Sequence, residues 1–149
     1  MDINNTLSRN GQHIRIYEHD RLGRDDPLIT WNVRDIVVVN NILSGTRDPT
    51  AALLSVFDQR RTRTAEQMGV VVDHNAYFRS RAGAPAALVQ WAAGRRGART
   101  FRTLGEYRRR TGQEQHGLEL AQPHSNPFFS RSRSVRPRRC RPGRRSHWC

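Results

Sequence analysis

The amino-acid sequence predicts an all-β fold of the solenoid kind, in which the chain winds through short strands and each coil buries its apolar side on the next. Three observations carry that expectation. A short phrase recurs: Asn4-Asn5-Thr6-Leu7-Ser8 returns as Asn40-Asn41-Ile42-Leu43-Ser44, and more loosely as His74-Asn75-Ala76-Tyr77-Phe78. The second Asn of each copy, at 5, 41 and 75, gives spacings of 36 and 34 residues, inside the range of about 20–50 residues that marks stacked repeats. The apolar residues of 1–91 fall in short runs rich in Val and Ile, broken by Gly, Asn, Asp and Pro, which favours strands over helices.

The elements follow in order. His13-Ile14-Arg15-Ile16-Tyr17 alternates polar and apolar, the pattern of a half-buried strand. Residues 28–33 follow Asp25-Asp26-Pro27, a turn closed by proline, and form a second strand. Arg34-Asp35 makes a corner before the β-branched strand 36–39, whose unbroken apolar run suits a parallel sheet. Residues 42–43, 53–57, 70–72 and 88–91 continue the series. The polar stretch 58–68, with Arg60, Arg61 and Arg63, reads as a loop thrown out between coils, where a solenoid often places its binding face. One helix is expected, over 104–110. Thr103 and Glu106 are spaced for a capping box, Arg108, Arg109 and Arg110 suit the negative end of the helix dipole, and Gly112 supplies the stop.

Charge divides the chain of 149 residues into two parts, 1–129 and 130–149. All 26 basic residues are Arg and none is Lys, a usage best explained by a GC-rich coding bias. Residues 1–129 carry 18 Arg against 13 acids, whereas 130–149 carry 8 Arg and no acid. The tail is therefore expected to be disordered through self-repulsion, Pro content and lack of apolar residues. Its Arg, Pro, Ser, Gly and Cys composition is also what a GC-rich gene gives out of frame, so a frameshifted end is a second reading. Both cysteines, Cys140 and Cys149, lie there, and no earlier spacing matches a disulfide framework or a metal site. No run is apolar enough to span a bilayer, and the N-terminus carries no secretory signal. The first repeat starts almost at residue 1, so the piece is expected to lack coils that precede it in a longer protein.

Two passages resemble a known family. One is Trp31-Asn32-Val33-Arg34-Asp35-Ile36-Val37-Val38-Val39-Asn40-Asn41-Ile42-Leu43; the other runs from Phe101-Arg102-Thr103-Leu104-Gly105-Glu106-Tyr107 through Thr111-Gly112-Gln113-Glu114-Gln115-His116-Gly117-Leu118. They are similar to right-handed parallel β-helix proteins, the pectin-lyase-like group of polysaccharide lyases, some glycoside hydrolases and many secreted proteins. The resemblance covers about residues 4–129. It implies the C-terminal coils of a longer, secreted or extracellular, monomeric protein that contacts acidic polysaccharide, and a piece that is inactive alone. Calcium is implied by the resemblance only; the residues themselves suggest no cofactor. Departures are the weak echo of the family's closing phrase in Asn126-Pro127-Phe128-Phe129 and the Arg-rich tail that follows.

Candidate residues follow from chemistry. Asn5, Asn41 and Asn75 are expected to stack as a structural ladder, because equivalent positions of neighbouring strands lie about 4.8 Å apart. Asp73 and His74 are the candidates for a catalytic base, and Arg60, Arg61, Arg63, Arg79 and Arg81 for binding a uronate carboxylate. The plainer reading of Asp73-His74 is a turn Asp and a surface His. His19-Asp20 and Asp25-Asp26 are the other clusters worth testing, but Asp25-Asp26 is a poor acid/base pair, since neighbours in a strand point to opposite faces. His116 reads as a packed or capping residue, and Trp31 and Trp91 as core more than sugar platforms. A solenoid that binds glycans or partners without catalysis is an equal alternative. Nucleic-acid binding is the rival: the basic tail attracts phosphate non-specifically, but the body has no recognisable nucleic-acid fold.

Overall fold

Residues 2–19, 32–79 and 83–120 are described in the computed structural model. The chain passes through three sheets in the same order three times. The first pass gives β1 (Asp2–Ile3), β2 (Thr6–Asn10) and β3 (Ile14–Glu18); the second gives β4 (Val37–Val39), β5 (Ile42–Thr46) and β6 (Leu54–Asp58). The third gives β7 (Val71–Asp73), β8 (Ala76–Phe78) and β9 (Val89–Ala92). After a 3-10 turn at Gly94–Arg96 come β10 (Ala98–Phe101), α1 (Leu104–Thr111) and β11 (Leu118–Leu120). The sheets have the orders β1-β4-β7, β2-β5-β8-β11 and β3-β6-β9-β10. Every pairing between these strands is parallel except that of β10 with β9.

Register explains the core. Leu7, Leu43 and Tyr77 are aligned across β2, β5 and β8, and Ile14, Leu54 and Val89 across β3, β6 and β9. Ile16 faces Val56, and Val38 faces Val72. Leu43, Leu54, Val56, Val38, Tyr77 and Val89 are fully buried. Like side chains thus stack on like, and each pass covers the apolar face of the one before, which is the main favourable term. Trp91 is buried, as expected, with its indole N–H donating to Glu66 Oε1 at 2.7 Å.

The antiparallel β10 and α1 close one end. Phe101, Leu104 and Tyr107 are buried there, and the Tyr107 ring meets Trp91 edge-on at 5.2 Å and Phe101 at 5.3 Å. Thr103 caps α1 by accepting from the Glu106 N–H at 3.2 Å, and Gly112 ends it in the left-handed conformation. The reciprocal half of the expected capping box is replaced: Glu106 accepts from the Arg102 N–H, and Glu119 accepts from the Leu104 N–H at 2.7 Å.

One expectation is corrected. The stretch 58–68 is a loop exposed at 59–62, but it is not thrown out along its whole length. The Asp58 carboxylate accepts from the backbone N–H of Arg60, Thr62 and Arg63 at 2.7–2.9 Å, folding the chain back on itself. Ala65 and Met68 then enter the core, and the Ala65 N–H donates to Ala92 O at 3.1 Å. A carboxylate that satisfies three donors lets a polar segment turn tightly, and the two apolar residues in it supply the reason to return. Of the strand expected at 28–33, residues 28–31 lie outside the described residues, and Asn32 and Val33 are not in a strand.

Candidate functional site

The recurring Asn phrase builds a hydrogen-bonded line at the corner between two sheets. The Asn5 N–H and side-chain amide both donate to Asn41 Oδ1, at 3.0 and 3.1 Å. The Asn41 N–H and amide donate in turn to Asn75 Oδ1, at 2.9 and 3.0 Å. Asn75 passes the pattern to Glu114, donating from its N–H to Oε2 at 3.2 Å and from its amide to Oε1 at 2.7 Å. The residues just before each Asn, namely Asn4, Asn40 and His74, hold φ of 57°, 57° and 58°. Asn and His are among the side chains that visit this left-handed region most readily. The left-handed conformation therefore belongs to the first residue of each pair, and the ladder to the second.

Glu114 is fully buried and also accepts from the Tyr77 hydroxyl at 2.7 Å. Burial pushes its carboxyl up, against the pull of the hydrogen bonds from Asn75 and Tyr77. Gly117 is required beside it, because a Cβ there would overlap the Glu114 carboxylate.

Asp73, His74 and His116 come together where the third pass meets the segment after α1. Asp73 Oδ1 accepts from the backbone N–H of His74 and of His116, both at 2.8 Å. Asp73 Oδ2 lies 2.8 Å from His116 Nδ1 and 3.4 Å from His74 Nδ1. The two imidazoles stack at 4.5 Å with 19° between their planes. Burial opposes ionisation of Asp73, but the hydrogen bonds from His116 and His74 and the His74 charge outweigh it and hold its carboxyl down at about 2. His116 is thus exposed and paired with Asp73, not packed away.

The arginine candidates separate. Arg60 and Arg61 are exposed on the turn after β6. Arg63 is drawn inward by an ion pair with Glu18 and a hydrogen bond to Val33 O at 3.0 Å. Arg79 is 8% exposed at its side chain and is held by Glu119 at 3.2 Å and by the Pro85 and Arg102 carbonyls. Arg81 lies outside the described residues, as do Asp20, Asp25, Asp26, Trp31 and residues 121–149.

A second surface was not legible as a motif. On the outer face of the β3-β6-β9-β10 sheet, Tyr17 and Phe57 are aligned and meet edge-on at 6.4 Å. The Arg15 guanidinium lies 4.6 Å from the Tyr17 ring centre and 5.8 Å from that of Phe57. The Gln59 N–H donates to Glu18 O, which sets the Arg60-Arg61 turn at the same end of the sheet. The Arg61 guanidinium reaches Gly97, next to the exposed Arg95 and Arg96. The signal available in the sequence was the alternation of Arg15 and Tyr17 with buried Ile14 and Ile16.

Comparison with protein-family models, with curated proteins and with solved structures finds no match in any of the three. Among the described residues no helix is long and apolar enough to cross a membrane.

Proposed function

We propose that the chain forms coils of a right-handed parallel β-helix, part of a secreted protein, and holds acidic polysaccharide without catalysis on the outer face of the β3-β6-β9-β10 sheet. The coil reading is supported by sheets in which each strand pairs with its counterpart one pass later, and by the Asn5, Asn41 and Asn75 line. The binding reading is carried by Arg15 lying over both Tyr17 and Phe57. Aromatic rings on a sheet face offer a flat apolar platform to the C–H faces of sugar rings. A guanidinium held against those rings offers a planar fork to a uronate carboxylate. Arg60, Arg61, Arg95 and Arg96 extend positive charge from the same region, which favours an anionic polymer over a neutral one.

A non-catalytic reading is preferred because Arg79, the cation expected beside Asp73 and His74, is engaged by Glu119 and two carbonyls. It is not offered to a substrate carboxylate.

The test is depletion binding of the full chain to polygalacturonate and to dextran at low salt. Binding to the acidic polymer alone is expected. Tyr17→Ala with Phe57→Ala should weaken it by about tenfold or more, since each aromatic contact is worth about 1 kcal/mol. The Arg of 130–149 are present in every variant, so that loss reports on the sheet face. Equal binding by parent and aromatic variant would defeat the reading.

A further inference from the structure

We propose that Asp73, His74 and His116 form a binding site for a zinc-class divalent cation. The inference stands apart from the polysaccharide face and does not depend on it.

The donors come from two separated segments: Asp73 and His74 from the end of β7, and His116 from the stretch that follows α1. One ligand atom from each lies within 4.8 Å of the others. In a tetrahedral site with metal–ligand bonds of about 2.0–2.2 Å, ligand atoms sit about 3.3–3.6 Å apart. The Asp73 Oδ2 to His74 Nδ1 separation is already 3.4 Å. His116 Nδ1, now 2.8 Å from the same oxygen, has to withdraw by only about 0.6 Å to reach that spacing. The rings are stacked with 19° between their planes, so one exposed imidazole also turns out of the stack to bring both Nδ1 lone pairs onto one ion.

The surroundings hold the donors in place. The other Asp73 oxygen is fixed by the backbone N–H of both His74 and His116, which is the outer-shell orientation that metal-binding carboxylates need. The imidazole side chains are 54% and 64% exposed. An ion bound there keeps positions open to water or a ligand from solvent. Two imidazoles and one carboxylate suit zinc, nickel, cobalt or copper, whereas calcium and magnesium prefer an all-oxygen shell.

The experiment titrates zinc into the full chain against a competing chelating indicator. Cys140→Ser and Cys149→Ser are included throughout, so that no thiol competes. Binding of zinc is expected, with excess calcium failing to displace it. Loss of an outer-shell partner already weakens metal sites by about 10–100-fold, so His74→Ala and His116→Ala should each weaken zinc by about tenfold at least. Both replaced rings are exposed, so the metal-free variants should still unfold in one cooperative transition, somewhat below the parent because His74→Ala puts Ala at a φ of 58° and His116→Ala loses its hydrogen bond to Asp73. Zinc should also shift the ring resonances of two histidines in the parent, identified by their absence in the two variants. Unchanged zinc affinity in either variant, displacement by calcium, or shifts confined to other histidines would overturn the proposal.

Discussion

At the scale of single residues, the ladder concentrates risk in Asn75. Its side chain is 1% exposed and serves Asn41, Glu114, Val38 O and Asp73 O. Asn75→Ala would remove the oxygen that accepts from the Asn41 N–H and amide, and would strip Glu114 Oε1 of its side-chain donor while the backbone N–H at 75 remains. Urea unfolding should show a loss of about 2–4 kcal/mol, because stranded buried polar groups cost far more than an average hydrogen bond contributes. His74→Asn, by contrast, keeps a residue type suited to positive φ and should leave stability within about 0.5 kcal/mol. Two carboxyls give opposite responses to pH. The Glu114 carboxyl is raised in the fold, so its contribution is complete below 4.5 and is lost as pH rises through its folded value. The stability gap between parent and Glu114→Gln should therefore narrow as pH is raised above 4.5. The Asp73 carboxyl is lowered from 3.8 to about 2, so its contribution is complete above 3.8 and disappears as pH falls toward 2. Asp73→Asn should remove that acid-side decline in an unfolding series. The Asn positions were readable in the sequence because hydrogen bonding forces one residue type to recur. Glu114 was not, since a carboxylate does the same work at the ladder's end without repeating the letter.

At the scale of elements, α1 was the clearest prediction and remains improvable. Gly105 sits inside the helix with helical φ, and a Cβ there meets only the Arg109 guanidinium, at an ordinary 3.7 Å. Gly105→Ala should raise stability by about 0.5–1 kcal/mol in the same unfolding assay. Strands β3, β4, β6, β7 and β9 were legible, within a residue at their ends, from β-branched runs and turn residues. Strands β2 and β8 were present only as parts of the repeated phrase, and β10 not at all. Ala98-Arg99-Thr100-Phe101 has no alternation or apolar run to betray it, and its place is set by pairing with β9. The segment 58–68 misled for a related reason. Its surface polarity is real, but Asp58 spends its carboxylate on the segment's own backbone, and composition does not reveal that.

At the scale of the whole molecule, the two ends differ. Toward the C-terminal end, Gln113 accepts from the Val72 N–H at 2.7 Å, the Glu114 N–H donates to Val72 O at 2.8 Å, and β10 and α1 cover the buried aromatics. Among the described residues, β1, β2 and β3 each pair with one strand, so the first pass is an edge of all three sheets as described. Edge strands open at lower cost than those paired on both sides. Hydrogen exchange should therefore be fastest in β1–β3 and slowest in β5, β6 and β8. The triple passage was visible as a period, whereas the capped end depends on side chains that meet only after folding.

The line of amides also has a direction. Each Asn gives its hydrogens to the next residue along the series and offers its oxygen to the one before, until a carboxylate that only accepts brings the sequence of donors to a halt. Duplicating a whole pass before Asn75 would lengthen the stack with chemistry it already contains. The same duplication placed beyond Glu114 would bring an Asn oxygen against an anion, with no hydrogen between them.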